Sequence, residues 1–175
     1  ALDLAEAPPG VVEPYVRPNV IISVDDSGSM GWRVTSTAGG DIAITTPNPD
    51  GSWPANARRM NVLKYALTSI FDTTHPKYDP ALLPDKKIRL AWQVMPNNGG
   101  ASNAANVNSG SMNTNSMRIL QGSHRTNFLS FVSSLTPVNG TPSHLMFSQA
   151  DAYMRQPLGT NSAWASDPGV TGPPY

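Results

Sequence analysis

A run of β-branched apolar residues, Asn19-Val-Ile-Ile-Ser-Val24, is followed directly by five small polar residues, Asp25-Asp-Ser-Gly-Ser29. A continuous apolar stretch of this length predicts a buried strand in a parallel sheet. Small polar residues that follow such a strand lie at its carboxyl end, where open α/β sheets bind ligands. The pattern therefore predicts a functional site at residues 25–29.

Three later segments, 58–72, 124–135 and 142–155, carry apolar residues at the three-to-four spacing that predicts amphipathic helices. Residues 88–94 alternate in part between apolar and polar side chains, which predicts a second strand. A short strand is also possible at 41–46. The side chains predicted to face the core are Val62, Leu63, Ala66, Leu67, Ile70 and Phe71 in the first helix, Phe128, Phe131, Val132 and Leu135 in the second, and Leu145, Met146, Ala150, Tyr153 and Met154 in the third.

The order of these elements predicts one α/β domain over residues 19–156 that begins like a doubly wound sheet. Proline-rich residues 1–18 are expected to be an extended lead-in, and residues 31–57 and about 96–117 are expected to be insertions rich in small polar residues. Residues 157–175 are expected to form a loop that leads to a strand beyond them. No buried strand follows the third helix, so the sheet is predicted to be incomplete within this chain.

Composition removes several classes of function. The 175 residues carry 12 basic and 12 acidic side chains, which argues against a nucleic acid or an anionic membrane bound by bulk electrostatics. No apolar run is long enough to predict a transmembrane segment. The chain has no cysteine, which excludes disulfides and thiolate metal sites.

The pattern Asp25-x-Ser27-x-Ser29 suits a hard divalent cation such as Mg²⁺, which prefers oxygen ligands in octahedral geometry and keeps some water. One carboxylate and two hydroxyls supply three oxygens from one loop, and Gly28 lets that loop turn tightly. A metal with few anionic ligands stays electrophilic and can accept a carboxylate from a partner. The alternative is an ordinary polar turn with no ligand.

Thr141 is a second candidate, in the sequence Gly140-Thr-Pro142. The proline that follows predicts Thr141 at a helix N-cap, from which its hydroxyl could reach a metal near the end of the sheet. The alternative is a helix cap without a metal. His124 and His144, each near a predicted helix start, are interpreted as surface or capping residues.

Two stretches of the chain carry a resemblance to known proteins. The first is Pro18-Asn-Val-Ile-Ile-Ser-Val-Asp-Asp-Ser-Gly-Ser-Met30, which is similar to the opening of von Willebrand factor A (VWA) domains. The second is Arg118-Ile-Leu-Gln-Gly-Ser-His-Arg-Thr-Asn-Phe-Leu-Ser-Phe-Val132, followed by Gly140-Thr-Pro-Ser-His-Leu145 and Ala152-Tyr153. The Asp-x-Ser-x-Ser motif by itself resembles a VWA domain, and with the second stretch the chain resembles the PilC/PilY family of proteins associated with type IV pilus tips.

The resemblance implies a metal-ion-dependent adhesion site in which Asp25, Ser27, Ser29 and Thr141 bind Mg²⁺ or another divalent cation such as Mn²⁺ or Ca²⁺. The third element of that site, an Asp in a Thr-Asp-Gly turn, has no counterpart in this sequence. The expected fold is accordingly a VWA-like α/β domain, truncated before its fourth strand.

The resemblance further implies an extracellular protein, exported through the periplasm to the pilus tip, that acts in pilus assembly, adhesion and force sensing. Its implied partners are minor pilins and a host or abiotic surface ligand that offers a carboxylate. Two alternatives stay open: a VWA subunit of an intracellular ATP-driven complex, and a metal-dependent hydrolase. An enzyme is not expected, because aspartyl-phosphate chemistry needs an acid where Ser27 stands and no Gly-x-Ser-x-Gly motif occurs.

Overall fold

The computed structural model describes residues 17–95, 115–138 and 140–155. Within these ranges one sheet contains β1 (Asn19–Val24), β2 (Arg89–Val94) and β3 (Arg118–Ile119), in the spatial order β1-β2-β3. β1 and β2 run parallel, with Asn19 opposite Arg89 and Val24 opposite Val94, whereas β3 runs antiparallel to β2. The two strands predicted from the apolar runs are confirmed.

Three α-helices complete the described fold: α1 (Arg59–Phe71), α2 (Gly122–Ser134) and α3 (Ser143–Met154). Each lies within two residues of the ends predicted from its periodicity. α1 forms the crossover between β1 and β2, because two parallel strands need a connection that returns the chain to the same end of the sheet. The mixed α/β class is therefore confirmed.

One face of the sheet is covered by α1 and α2. Leu90 and Trp92 of β2 pack there against Phe71 at the end of α1 and against Phe128 and Val132 of α2, and all five side chains are buried. The rings of Phe71 and Phe128 have centroids 4.5 Å apart, and those of Trp92 and Phe128 are 5.3 Å apart. Aromatic burial of this kind provides most of the driving force for packing the two helices on β2.

The opposite face of the sheet is covered by α3. Ala91 packs with Met117 and with Tyr153 of α3. Gln93 donates from Nε2 to Ser23 Oγ (2.8 Å) and to the carbonyl of Met146 in α3 (2.9 Å). Helices therefore lie on both faces of the sheet, as the doubly wound pattern predicts.

His124 and Arg125, at the start of α2, anchor that helix to the sheet. His124 Nε2 lies 2.7 Å from the carbonyl oxygen of Leu90, and His124 is only 5% exposed. Arg125 donates to the carbonyls of Phe71 and Leu83 and forms an ion pair with Asp85 at 2.9 Å. The interpretation of His124 as a surface or capping residue was wrong, because its ring packs on Trp92 inside the core.

Other details of the sequence interpretation also need correction. Residues 41–46 form no strand; Asp41 has a single bridge, to Ala57. Ala66, Ile70 and Met154, predicted to face the core, are exposed, Ile70 at 50% and Met154 at 44%. Ile70 directly precedes a buried aromatic residue and Met154 directly follows one, and one residue turns a helix by about 100°.

The first insertion folds on itself through an isolated bridge between Trp32 and Gly39, and it meets the start of α1 through a bridge between Arg33 and Arg58. No helix in the described ranges is long and apolar enough to cross a membrane. Most of the predicted lead-in, most of the insertion at about 96–117, and the tail at 157–175 lie outside the described residues. The domain boundaries drawn from the sequence stay predictions.

Candidate metal centre

The first candidate loop begins directly after β1. The side chain of Asp25 folds back on its own loop, and its Oδ1 accepts a hydrogen bond of 2.8 Å from the backbone amide of Ser27. This local Asx turn fixes the direction of the loop. Residues Gly28–Gly31 then form one short 3₁₀ helix. The turn occupies one carboxylate oxygen of Asp25, so the second oxygen can still serve as a cation ligand.

The hydroxyls of Ser27 and Ser29 lie side by side, with their oxygens 3.1 Å apart. Two neighbouring ligands of octahedral Mg²⁺, each about 2.1 Å from the metal, are separated by about 3.0 Å. Neighbouring ligands of Ca²⁺, at about 2.4 Å, are separated by about 3.4 Å at the same angle. The hydroxyl pair therefore fits the smaller ion better, although 3.1 Å is also a normal hydrogen-bond distance.

A backbone link joins the second candidate loop to the first. The amide of Val138 donates to the carbonyl of Asp26 at 2.7 Å, and Val138 forms a parallel bridge with Ser27. Thr141 follows three residues later and is exposed, and its carbonyl accepts from the amide of Ser143 at 2.8 Å. The structure thus brings the two loops together at the carboxyl end of β1. Convergence of the Thr141 hydroxyl on Asp25 stays a prediction.

The prediction that Thr141 is the N-cap of α3 was wrong by one position. The N-cap is Pro142, whose carbonyl accepts the first helical hydrogen bond, from Met146 at 3.1 Å. A proline ring fixes φ near the helical value, so Pro142 can hold this position without a side-chain cap. Thr141 therefore lies just outside the helix, and capping of α3 does not require its hydroxyl.

Asp26 is a residue of this loop that sequence reasoning did not single out. It is fully buried, and its Oδ1 accepts from the backbone amide of Met95 at 3.2 Å. The strand pattern held a signal for it: alternate residues of a strand share a face, and Asp26 is two residues beyond the buried Val24. Asp25 and Asp26 therefore have different roles, one on the loop surface and the other inside the protein.

The insertion packs directly beside the first loop. The carbonyl of Gly31 accepts from the amide of Gly40 at 2.8 Å, and the amide of Trp32 donates to the carbonyl of Ser29 at 3.1 Å. A side chain at Gly40 would bring its Cβ within 2.6 Å of the Arg58 backbone, so only glycine fits there. Residues of the insertion consequently form one wall of the candidate site.

The donor set of the site consists of one carboxylate and several hydroxyls. Among the residues that the structure describes, no three histidine or aspartate side chains are grouped so that they could hold a metal ion. A cation here would depend on Asp25 for its only anionic protein ligand, with Ser27, Ser29 and water as neutral ligands. Such a site binds a divalent ion weakly and leaves coordination positions free for an external carboxylate.

No protein-family model and no solved structure matches this chain. A curated protein does: a segment of 94 residues, 53% of the chain, is 29% identical to the type IV pilus biogenesis factor PilY1 of Pseudomonas aeruginosa. The matched region is 8% of the length of PilY1, so the chain spans a small part of that protein. The similarity indicates a relationship to PilY proteins of type IV pili.

Proposed function

We propose that this chain supplies the first two loops of a metal-ion-dependent adhesion site, in a VWA-type domain of a type IV pilus-associated protein. The observation that carries the proposal is the hydrogen bond from the Val138 amide to the Asp26 carbonyl, at 2.7 Å. It holds Val138, two residues before Gly140-Thr-Pro, against the Asp-x-Ser-x-Ser loop, although the two segments are far apart in sequence. An ordinary polar turn would not need this second loop beside it.

The role of each residue follows from its place in the loops. Asp25 would provide the anionic oxygen, Ser27 and Ser29 the adjacent pair of hydroxyls, and Thr141 a further hydroxyl from the second loop. A bound Mg²⁺, or another divalent cation such as Mn²⁺ or Ca²⁺, supplies an electrophilic centre for a carboxylate of a partner. Asp26 keeps the loop attached to the end of β2 through Met95.

The biological setting is proposed from the similarity to PilY1, a protein named as a pilus biogenesis factor. A role in pilus assembly agrees with that name. Adhesion at the cell surface is proposed because the site would accept an external carboxylate, and force sensing is proposed as a further activity. Minor pilins and a host or abiotic surface are the proposed partners. The same similarity favours this reading over an intracellular ATP-driven complex or a hydrolase.

The test is calorimetric titration of Mg²⁺ and Mn²⁺ into the full-length protein and matched variants. Asp25→Ala removes the carboxylate, whereas Asp25→Asn keeps an oxygen that can accept from the Ser27 amide. The control is Asp79→Ala, because Asp79 makes the same kind of turn, with its Oδ1 2.8 Å from the amide of Ala81, far from the site in the chain. Both changes at Asp25 are expected to weaken binding at least about tenfold, and the control to leave it unchanged.

Equal affinities in the wild type and in Asp25→Ala would refute the metal site. The biological proposal is tested separately, by introducing Asp25→Ala into the chromosomal gene and measuring surface attachment and pilus number. Reduced attachment with normal pilus number would place the site in adhesion, and a fall in pilus number would place it in assembly. Normal values of both would contradict a role of this site in pilus function.

A further inference from the structure

Three arginines, Arg33, Arg58 and Arg59, lie near Trp32 in the chain, where the first insertion meets the start of α1. Arg59 places its Cζ 5.6 Å from the centroid of the Trp32 ring and donates from Nε to the carbonyl of Arg33 at 3.0 Å. Arg33 in turn donates from Nε to the carbonyl of Gly39 at 3.1 Å and is bridged to Arg58. We call the set Arg33, Arg58, Arg59 and Trp32 the arginine patch.

Among the residues that the structure describes, no carboxylate forms an ion pair with the arginine patch. Ion pairs in those ranges join Arg125 to Asp85 and Arg155 to Asp151, and no carboxylate lies within 4.0 Å of the three patch arginines. Backbone carbonyls hold Arg33 and Arg59 through Nε alone. The Nη ends of these guanidinium groups, which form two-pronged hydrogen bonds with carboxylates, are therefore available to a ligand.

A further cation adds to the local excess of positive charge. Burial, and then the neighbouring charge of Arg58, lower the pKa of Lys64 on α1. An unbalanced group of like charges costs stability unless an anion joins it. The whole chain has equal numbers of basic and acidic side chains, so a local excess of positive charge is notable. An anionic binding partner would explain it.

The arginine patch adjoins the candidate metal loop. Trp32 is three residues beyond Ser29, and its amide donates to the Ser29 carbonyl at 3.1 Å, a turn that holds the two Cα atoms within about 7 Å. The arginine side chains beside Trp32 extend several Å beyond their own Cα atoms. An extended peptide advances about 3.3 Å per residue, so about two to four residues would span from the loop to those guanidinium groups.

We infer that the arginine patch is a second subsite for the ligand of the candidate metal loop, and that this ligand is an acidic peptide segment. One carboxylate of the segment would reach the metal, and one or two carboxylates about three residues away would pair with Arg33 and Arg59. The inference rests on the proposed metal site for the first contact only. The second contact stands on the arginines themselves.

An acidic peptide fits this surface better than a nucleic acid does. Nucleic-acid sites track a phosphate backbone with a long stripe of basic residues and stack bases on exposed aromatic rings. Here the backbones of Arg33 and Arg58 are bridged, Arg59 donates to the Arg33 carbonyl, and Arg59 already lies over the Trp32 ring. Carboxylates in a short peptide can pair with these arginines without such a stripe.

The test measures binding of a fluorescein-labelled peptide, Gly-Glu-Ser-Gly-Glu-Glu-Gly, to the full-length protein by fluorescence anisotropy in Mg²⁺. A peptide with glutamine in place of each glutamate is the ligand control. The variants are Arg33→Gln and the double change Arg33→Gln with Arg59→Gln. Arg155→Gln is the matched control, because it removes an arginine that is already paired, with Asp151 on α3.

The double variant is expected to bind the acidic peptide at least about tenfold more weakly, from the loss of charge-assisted hydrogen bonds. Arg33→Gln, which removes one arginine of the patch together with its exposed hydrogen bond to the Gly39 carbonyl, should give a smaller loss in the same direction. Arg155→Gln should bind within about twofold of the wild type. Wild-type affinity in the double variant, or equal binding of the glutamine peptide, would overturn the inference.

Chelation of Mg²⁺ with EDTA separates this inference from the proposed metal site. If peptide binding survives EDTA and still depends on the arginines, the patch stands and the metal contact is wrong. If EDTA abolishes binding while the arginine variants bind normally, the metal contact stands and the patch is wrong. Displacement of the peptide by a short single-stranded oligonucleotide at equal concentration would contradict the choice of an acidic peptide.

Discussion

The carboxylate of Asp26 accepts a hydrogen bond of 3.2 Å from the backbone amide of Met95, 69 residues further along the chain. This contact joins the carboxyl ends of the two parallel strands directly behind the candidate metal loop. Asp25, the adjacent residue, accepts a hydrogen bond from the amide of Ser27 within its own loop. Two neighbouring aspartates are thus separated into a structural residue and a candidate ligand.

The different roles of Asp26 and Asp25 predict that their alanine variants differ in the amount of stability they lose. Asp26→Ala should lower the free energy of unfolding by about 1–3 kcal/mol, because the buried Met95 amide loses its acceptor. Asp25→Ala should change it by less than about 1 kcal/mol, since the half-buried loop can hydrate. Urea unfolding without added metal measures both. Asp26→Asn, which keeps an acceptor, should recover much of the loss, and a larger loss for Asp25→Ala would refute the assignment.

A substitution of Arg125 that keeps its positive charge is predicted to lower the stability of the protein. The Arg125 guanidinium donates to the carbonyls of Phe71 and Leu83 and to the carboxylate of Asp85, and a lysine ammonium cannot reach all three. Arg125→Lys should therefore lower the free energy of unfolding by about 2 kcal/mol or more. Arg155→Lys, at an exposed ion pair, is the control and should change it by less than about 0.5 kcal/mol.

Thermal and urea unfolding would both report the Arg125 effect. If Arg125→Lys and Arg155→Lys were equally stable, the attachment of α2 to the end of α1 would not depend on the branched guanidinium group of Arg125. The expected difference follows from burial, because the Arg125 side chain is 6% exposed and that of Arg155 is 77% exposed.

The buried Tyr153 side chain is predicted to make the protein lose stability at alkaline pH. Its hydroxyl accepts from the amide of Met117 at 2.8 Å, and burial raises its pKa above the usual value of 10.0. The folded state therefore holds this proton more tightly than the unfolded state does. Its contribution to stability is fully present below about pH 10 and is lost as the pH rises through the folded pKa.

The measurement for Tyr153 is the difference in free energy of unfolding between the wild type and Tyr153→Phe, taken from neutral to strongly alkaline pH. The wild type should be more stable by about 1–3 kcal/mol at neutral pH, because phenylalanine leaves the Met117 amide without its acceptor. The advantage should stay constant to about pH 9 and shrink above pH 10. A constant difference across the whole range would contradict the pKa shift.

The backbone amides of β1 are predicted to alternate between slow and fast hydrogen exchange along the strand. Among the described residues it pairs with β2 alone, and the Arg89 amide donates to the Pro18 carbonyl at 2.9 Å. In a parallel ladder this register directs the amides of Val20 and Ile22 toward β2 and those of Ile21 and Ser23 toward the other edge. The amides of Ile21 and Ser23 should therefore exchange faster, as for an open edge.

The same experiment tests whether the sheet has a further strand. Equal protection of all four amides would show that another segment or another chain pairs with β1. If the edge is open, the isolated chain is expected to self-associate and to unfold in urea without one sharp transition, as the incomplete sheet predicted from the sequence implies. A stable monomer with a single sharp transition would contradict that expectation.

The local elements of this protein were predictable from the sequence because their signals are local. The β-branched run specified β1, and apolar spacing specified α1, α2 and α3 to within two residues. The first candidate loop could also be located, since Asp25, Ser27 and Ser29 lie within one segment of five residues. Where local periodicity was ambiguous by one position, as at Ile70 and Met154, only the packed helix decided which side chain was buried.

Contacts between distant segments were decided by the tertiary structure. The sequence placed Asp26 beside Asp25 without distinguishing them, and the end of β2 was needed to bury its carboxylate against Met95. His124 was interpreted as a surface residue because nothing nearby in sequence shows that the Leu90 carbonyl, 34 residues away, would accept its hydrogen bond. The arginine patch likewise forms only when the insertion returns Arg33 to Arg58. Periodicity encodes which residues face a core, whereas the partner that each meets there depends on how the elements pack.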